Sequence, residues 1–426
     1  MGRKLHKIVA SLFAIATATA ANAQLLPPDD LLVRFSRFET VRERQIPGFE
    51  APGVPIGTFT LSPNITGSAN YSDNIFAQRD ARVSDTFFRV EPTAILQSNW
   101  SQRSLTLSAN GRFDRYANQT SENVDAVSAS AYGVQQFGDS TRLRLVARYQ
   151  NDRESREGQT VFALTQRPVH YENESVALGV SQRFASVLVS GEAGYDRFNF
   201  DDARLRNGPV IDEDFRDRDT YNLRLRAEIA QSPSLAYFVQ GLREATNYDR
   251  PDGGTGNLRG NTRYQVLGGA RFELPLGARG EIGVGYVNSQ SEGARYRTFS
   301  GLALSSRVTL FPTELTTVNV SLQRSVNDAG VPNSTGYLVT SGTVQVDHEL
   351  LRNLILGANI GYETDNFNGI DRRDRRLTAG ATAEYKLGRA FWIRFGYDFI
   401  DLSSRGVDQF RAFDRNRATF AIRYRV

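Results

Sequence analysis

The last ten residues, "RATFAIRYRV" (417–426), decide how the chain is read. Phe420, Ile422, Tyr424 and Val426 take every second position, with Thr419, Ala421, Arg423 and Arg425 between them. A period of two belongs to a strand, whose side chains point alternately to opposite faces. Chain ends usually fray. One that keeps an apolar face and an arginine-bearing face to its last residue reads as a paired strand.

The same period runs back through the chain. In "SLTLSANGRFD" (104–114), Leu105, Leu107, Ala109, Gly111 and Phe113 share a face. "RLRLVARYQ" (142–150), "YNLRLRAEIA" (221–230) and "AFWIRFGYDF" (390–399) repeat the pattern. Between residues 57 and 426 we count about 18 such segments of about 12–15 residues each. Their connections alternate in length. "FGDS" (137–140), "FAS" (184–186), "QSPS" (231–234) and "LGR" (387–389) are tight, whereas 153–170, 201–216, 249–259 and 402–413 are long and polar. Soluble sandwich strands are shorter, typically about 5–6 residues, and a β-helix would show a short internal repeat. Long strands with short turns on one side and long loops on the other form the pattern of a bacterial outer-membrane barrel. The expected fold is therefore all-β, a transmembrane antiparallel β-barrel of about 18 strands. Hydrocarbon offers no water to backbone groups, so the sheet must close, and the last strand then pairs with the first.

The amino terminus agrees with export. Basic "MGRKLHK", apolar "IVASLFAIATATAA" and "ANA" (21–23) read as a signal peptide, 1–23, cleaved after Ala23. Loss of Arg3, Lys4 and Lys7, with no acid lost, takes the formal net charge from +4 to +1 and leaves Lys386 as the single lysine. No basic stripe addresses nucleic acid. The absence of cysteine removes disulfides, zinc–thiolate sites and thiol catalysis. Residues 24–56 read as a periplasmic segment. A short amphipathic helix carries Leu31, Leu32, Phe35, Phe38 and Val41, and an extended linker follows with Pro47, Pro52 and Pro55. The barrel itself is assigned to 57–426. The 24–56 segment is expected at most to narrow the periplasmic mouth, and loop 153–170 or 201–216 is the candidate to fold inward.

The polar faces define the expected lumen wall: Arg112, Asp114, Arg142, Arg144, Arg148, Glu192, Arg224, Arg226, Glu228, Arg271, Glu281, Glu384, Arg394, Asp398 and Arg423. Guanidinium grips carboxylates, including those of uronic acids, through two parallel hydrogen bonds. The plainer reading of the same residues is a ladder of ion pairs that stiffens the wall, and one wall can do both. Aromatic girdles are expected from Tyr71, Tyr116, Tyr149, Phe198, Tyr248, Tyr286, Tyr362 and Phe399 at one end of the strands. Phe137, Phe184, Phe272, Phe311, Tyr385 and Phe391 supply the other end.

"GTFTLSPNITGSANYSDNIFA" (57–77) resembles the opening of an outer-membrane β-barrel porin family of proteobacteria, through Gly57, Phe59, Leu61, Pro63, Tyr71, Asp73, Asn74, Ile75 and Phe76. Members of that family often lie beside exopolysaccharide synthesis and export genes. The resemblance therefore implies passage of polysaccharide, with polysaccharide and periplasmic export proteins as partners. Outer-membrane lipid, lipopolysaccharide and the barrel-assembly machinery follow from the barrel itself. The apolar carboxyl terminus is similar to the assembly signal of such barrels, although most of those end in Phe rather than Val.

No catalytic constellation emerges. His170 ("RPVHYE") and His348 ("VDHEL") are distant in sequence, and a Ser–His pair would need a serine and an orienting acid brought to one of them. "DGGTGN" (252–257) lacks the strand–helix context of a phosphate cradle. "DFRDRD" (214–219) and "DRRDRR" (371–376) read as solvated loops with local ion pairs, with divalent-cation or lipopolysaccharide contact as the alternative. No cofactor, metal site or enzymatic activity is expected. The sequence supports a hydrophilic channel for sugar-like or anionic solutes. The alternative is a closed barrel that docks a periplasmic export apparatus.

Overall fold

A computed structural model describes residues 31–426 apart from 34, 36, 159–160, 162–164, 207, 252–255, 257–258 and 294–295. The expected leader, 1–23, and residues 24–30 lie outside the described residues, as does nearly all of "DGGTGN".

The alternating segments form one closed antiparallel sheet. Its barrel strands are β1 (Phe59–Ser72), β2 (Asp85–Ser98), β3 (Arg103–Tyr116), β4 (Val124–Phe137), β5 (Thr141–Arg153), β6 (His170–Phe184), β7 (Val187–Phe200), β8 (Arg218–Ser232) and β9 (Leu235–Tyr248). They continue as β10 (Asn261–Leu274), β11 (Ala278–Ser291), β12 (Phe299–Thr313), β13 (Thr316–Asn327), β14 (Gly336–Leu351), β15 (Leu354–Asn368), β16 (Arg373–Lys386), β17 (Phe391–Arg405) and β18 (Phe413–Arg425). Each pairs with its sequence neighbours, and β18 pairs with β1 from Asn64↔Arg425 to Ser72↔Arg417. The outer face is apolar because alternate residues must meet hydrocarbon: Leu223, Leu225 and Ile229 of β8 are exposed while Arg226 and Glu228 are buried. Among the described residues no helix is long and apolar enough to cross a membrane; a barrel crosses with strands.

The seam explains much of "GTFTLSPNITGSANYSDNIFA". A three-residue strand, Val54–Ile56, turns at Gly57, whose φ of +58° suits glycine, and pairs back on Phe59–Leu61. Beyond that pairing, β18 takes over the same edge from Asn64. Pro63 falls in the gap, where its missing N–H costs no ladder bond. At the far end the "DNIF" tip folds onto β18. Asp73 accepts from Asn416 N (2.7 Å) and Asn416 Nδ2 (2.6 Å). Asn74 Nδ2 donates to Gln78 O (2.7 Å) and Asp414 O (2.8 Å). Ile75 and Phe76 are buried beneath this clasp, and Ala77 packs with Ile400, Leu402 and Phe413.

Three corrections follow. Residues 31–33, 35 and 37–50 form bends and turns rather than an amphipathic helix: several of their polar groups bond to the barrel wall, and the backbone bonds they make among themselves close single turns at Thr40–Arg44 and Ile46–Phe49. Four girdle candidates point inward: Tyr116 stacks on buried Phe87, Phe198 packs with Tyr171 and Phe200, Tyr248 lies under Arg259, and Phe311 stacks on Phe38. Each has the parity of its strand's luminal face. Neither mixed-charge run is solvated throughout, since Arg216, Arg372, Asp374 and Arg376 are buried.

Candidate functional site: the lumen and its two mouths

Strand parity places all fifteen wall candidates on the inner face, and most are already matched within the wall. Arg226 bonds Glu228 (2.7 Å) and Glu281 (2.8 and 3.0 Å), and its guanidinium lies 3.8 Å from the Phe238 ring centroid. Arg271 approaches Glu281 at 3.8 Å and donates to Val33 O at 2.9 Å. Arg144 lies 3.8 Å from Glu192, and Arg224 faces Glu192 across the β7–β8 ladder. Arg112 reaches Asp152 (2.5 Å) and lies 3.9 Å from Asp114, which Arg89 holds at 2.6 and 2.8 Å. Glu384 stands opposite Arg394, Asp398 receives Arg417 (3.0 Å), and Arg423 donates to Thr66 (3.2 Å). Arg142 and Arg148 occupy the same face of β5 as Arg144, with Arg148 open to the lumen. Such a wall is polar without carrying a large unbalanced charge.

The short-turn mouth is lined by the chain's own amino-terminal segment. It follows the wall strand by strand. Leu32 N donates to Glu228 of β8 (3.1 Å), Arg37 N to Glu273 of β10 (3.0 Å) and Val41 N to Thr317 of β13 (3.0 Å). Arg42 pairs with Asp347 (2.7 Å) and Arg44 with Glu349 (2.8 Å), both on β14. Arg279 of β11 returns two bonds, to Phe38 O (2.6 Å) and Glu43 (2.7 Å). Burial pushes the Glu43 carboxyl upward, but bonds from Arg279 and Thr40 and the Arg279 charge outweigh it and leave it below the usual range.

The long-loop mouth is crossed from β5. Arg156 pairs with Glu122 (2.7 Å) and Arg216 with Glu154 and Glu213, so the loop is braced from both sides. Gln166 N donates to Arg204 O (2.7 Å), tying it to the 201–217 loop. Its tip then reaches β16, β18 and the loop between β17 and β18. Arg415 Nε lies 2.7 Å from Glu157 Oε1, and Arg415 Nη2 donates to Oε2 at 3.1 Å. Arg376 Nη2 donates to Glu157 O (2.6 Å) and Arg411 Nη2 to Gly158 O (2.8 Å). A second loop, 328–335, also folds inward: Asp328 accepts from Thr246 (3.1 Å) and Asn261 (3.0 Å) on the luminal faces of β9 and β10.

With this geometry the family can be assigned. Residues 46–426 match the family described as Putative beta-barrel porin 2. The chain belongs to it. The porin is thus an outer-membrane β-barrel of a channel family. A search of curated proteins finds no significant match. Among solved structures, it is similar to the outer membrane protein OpdK from Pseudomonas aeruginosa. That pair shares 12% identity over 86% of this chain and 98% of that one, with a TM-score of 0.43. OpdL from the same organism gives 12% identity, 87% and 99% coverage and a TM-score of 0.45. A BenF-like porin from Pseudomonas fluorescens gives 11%, 86% and 98%, and 0.45.

The remaining candidates form no further site. His170 contacts Asp201 (2.7 Å) and Asn151 (3.0 Å), and His348 contacts Thr316 (3.0 Å); neither arrangement is a Ser–His pair. Asp202, Asp212 and Asp214 bring carboxylates within 4.8 Å, but Arg250 pairs with Asp212 (2.9 Å) and Asp214 (2.6 Å). Sequence reading did not single out Arg279, Asp347, Glu349, Arg411, Arg415 or Glu157. For Arg279, Asp347, Glu349 and Arg415 the signal was present as parity carried to the strand ends. For the two loop residues there was none.

Proposed function

We propose that the protein is a hydrophilic outer-membrane channel for sugar-like or anionic solutes, gated at each mouth by its own chain. Exopolysaccharide is the sharper candidate cargo. The observation that carries this reading is the chemistry of the inward segments. The described residues between 31 and 50, and residues 154–158, meet the wall through ion pairs and single hydrogen bonds. When such a segment leaves, lumen water can re-solvate both partners of each contact, so the segments suit displacement better than an apolar plug would. The closed docking barrel remains the second reading, favoured by the length over which residues 32–44 trace the wall.

Planar-bilayer recording separates them. The full chain and a variant lacking residues 31–50 are purified in detergent and inserted. Discrete steps that grow in the deletion variant support a gated channel. A variant that lacks residues 31–50, also carries Glu157→Gln to release the other mouth, inserts and still stays silent rejects the channel and favours docking.

A further inference from the structure

Most luminal arginines answer a carboxylate of the wall, but at the long-loop mouth the match is uneven: buried Asp365 of β15, opposite Asp374, has no hydrogen-bond partner among the described residues, while Arg411 makes no ion pair there. Arg372 is taken by Asp374 (2.5 Å), and Arg376 lies 3.9 Å from Glu363. Arg415 and Arg417 share Asp398. Arg411 donates only to Gly158 O, and its buried Nε and Nη1 have no hydrogen-bond partner among the described residues. Aromatic rings hold these guanidiniums in place: Arg411 lies 5.2 Å from the Phe413 centroid and Arg372 lies 4.4 Å from that of Phe367. Burial, with Arg376 and Arg372 adding repulsion, pushes Arg411 down to about 9. A guanidinium keeps its proton near neutrality, so the consequence is a demand for a counter-anion.

Among the described residues, two of the crossing loop fill the cluster. They present a carboxylate to Arg415 by two nitrogens, and neutral carbonyl oxygens to Arg376 and Arg411. We infer that Arg376, Arg411 and Arg415 form a binding site for a sugar carboxylate, and that Glu157 occupies it as an internal stand-in until a uronate displaces it. A uronic acid carries the same set of acceptors: a planar carboxylate for the fork of Arg415, and hydroxyl and ring oxygens for its two neighbours. A neutral sugar lacks the first. Binding would free the loop tip from β16 and β18, so recognition and opening become one event. This deepens the channel reading and rests on it for its physiological sense, but binding can be measured without conduction.

The test titrates hexagalacturonate and neutral maltohexaose into the full chain in detergent by calorimetry. Glu157→Gln keeps the loop and removes the competing charge. It is expected to bind hexagalacturonate about tenfold more tightly than the parent, since a two-point charge-assisted pair no longer has to be displaced. Arg411→Gln, which breaks no ion pair in the structure, is expected to lose most of that binding, and maltohexaose should not distinguish the variants. Equal uronate affinity in parent and Glu157→Gln, or equal affinity for the two sugars, overturns the site. Bilayer recordings on the same samples keep the two ideas apart. Uronate binding by a barrel that stays silent even without residues 31–50 retains the site and rejects the channel. Conductance without Glu157-dependent binding does the reverse.

Discussion

Arg226 illustrates what a single luminal residue holds together. Its guanidinium is 5% exposed and joins Glu228 of β8, itself 1% exposed, to Glu281 of β11, 27% exposed, past the two strands between them. Substitution by methionine would keep the contact with Phe238 and leave Glu228 buried without its ion-pair partner, with the Leu32 N–H still donating to it. Removing one member of a buried pair costs on the order of 3 kcal/mol, discounted here because Glu281 touches luminal water. Arg226→Met should therefore unfold at lower temperature in heat-modifiability gels, while Arg148→Met, open to the lumen, should leave the transition in place. A similar logic covers Phe238, whose ring lies where side chains at Gly269 and Gly283 would stand, at 2.6 and 3.1 Å from their ideal Cβ positions. Inside a β-barrel, glycine opposite an aromatic ring lets the ring fill the gap.

At the scale of elements, the amino-terminal segment and the "DNIF" tip each make a prediction. Glu43 has its carboxyl held down by Arg279 and Thr40. A depressed carboxylate contributes stability at pH above its unfolded value, about 4.3, and loses it as pH falls through the folded value. Conductance should thus rise as pH falls below the ordinary glutamate range, and Glu43→Gln should already show the raised conductance at neutral pH with that step removed. A step of equal size in Glu43→Gln would reject the clamp. For the tip, Asp73→Ala combined with Asn74→Ala removes three hydrogen bonds to β18 and two to Gln78 within the tip. At about 1 kcal/mol each, the double variant should lower the unfolding temperature measurably. Replacing the exposed Tyr71 by Phe should not.

These two elements also mark where sequence stopped being informative. The strands were legible because hydrocarbon outside and water inside impose a period of two on every crossing. Parity alone put Arg226 and Glu228 on the inner face. The amino-terminal segment has apolar residues at helical spacing, yet Leu31, Val33 and Val41 are buried against the barrel interior and not against each other along a helix. Its conformation is set by Glu228, Glu273, Thr317 and Asp347, residues scattered over more than a hundred positions. No local pattern encodes such a partner list. The arginine cluster was hidden for the same reason: "DRRDRR" reads as a solvated run until the 154–158 loop is brought across the lumen to cover it.

Taken as a whole, the molecule places its first and last strands side by side, and this constrains the order in which it can be made. Asn64 pairs with Arg425, and Ser72 with Arg417, so the joining residues are separated by nearly the entire chain. Loop-closure entropy grows only slowly with length, so the thermodynamic cost of this separation is modest. The kinetic consequence is larger. Until the final residues arrive, β1 and the newest strand both expose unpaired backbone edges, the surfaces on which sheets aggregate. The alternating carboxyl terminus is therefore the last edge to be satisfied, and the Asp73–Asn416 clasp is available only once it has docked. A growing chain must be shielded at two edges until β18 forms, and the thirteen residues of that strand decide whether it becomes a ring or an open ribbon.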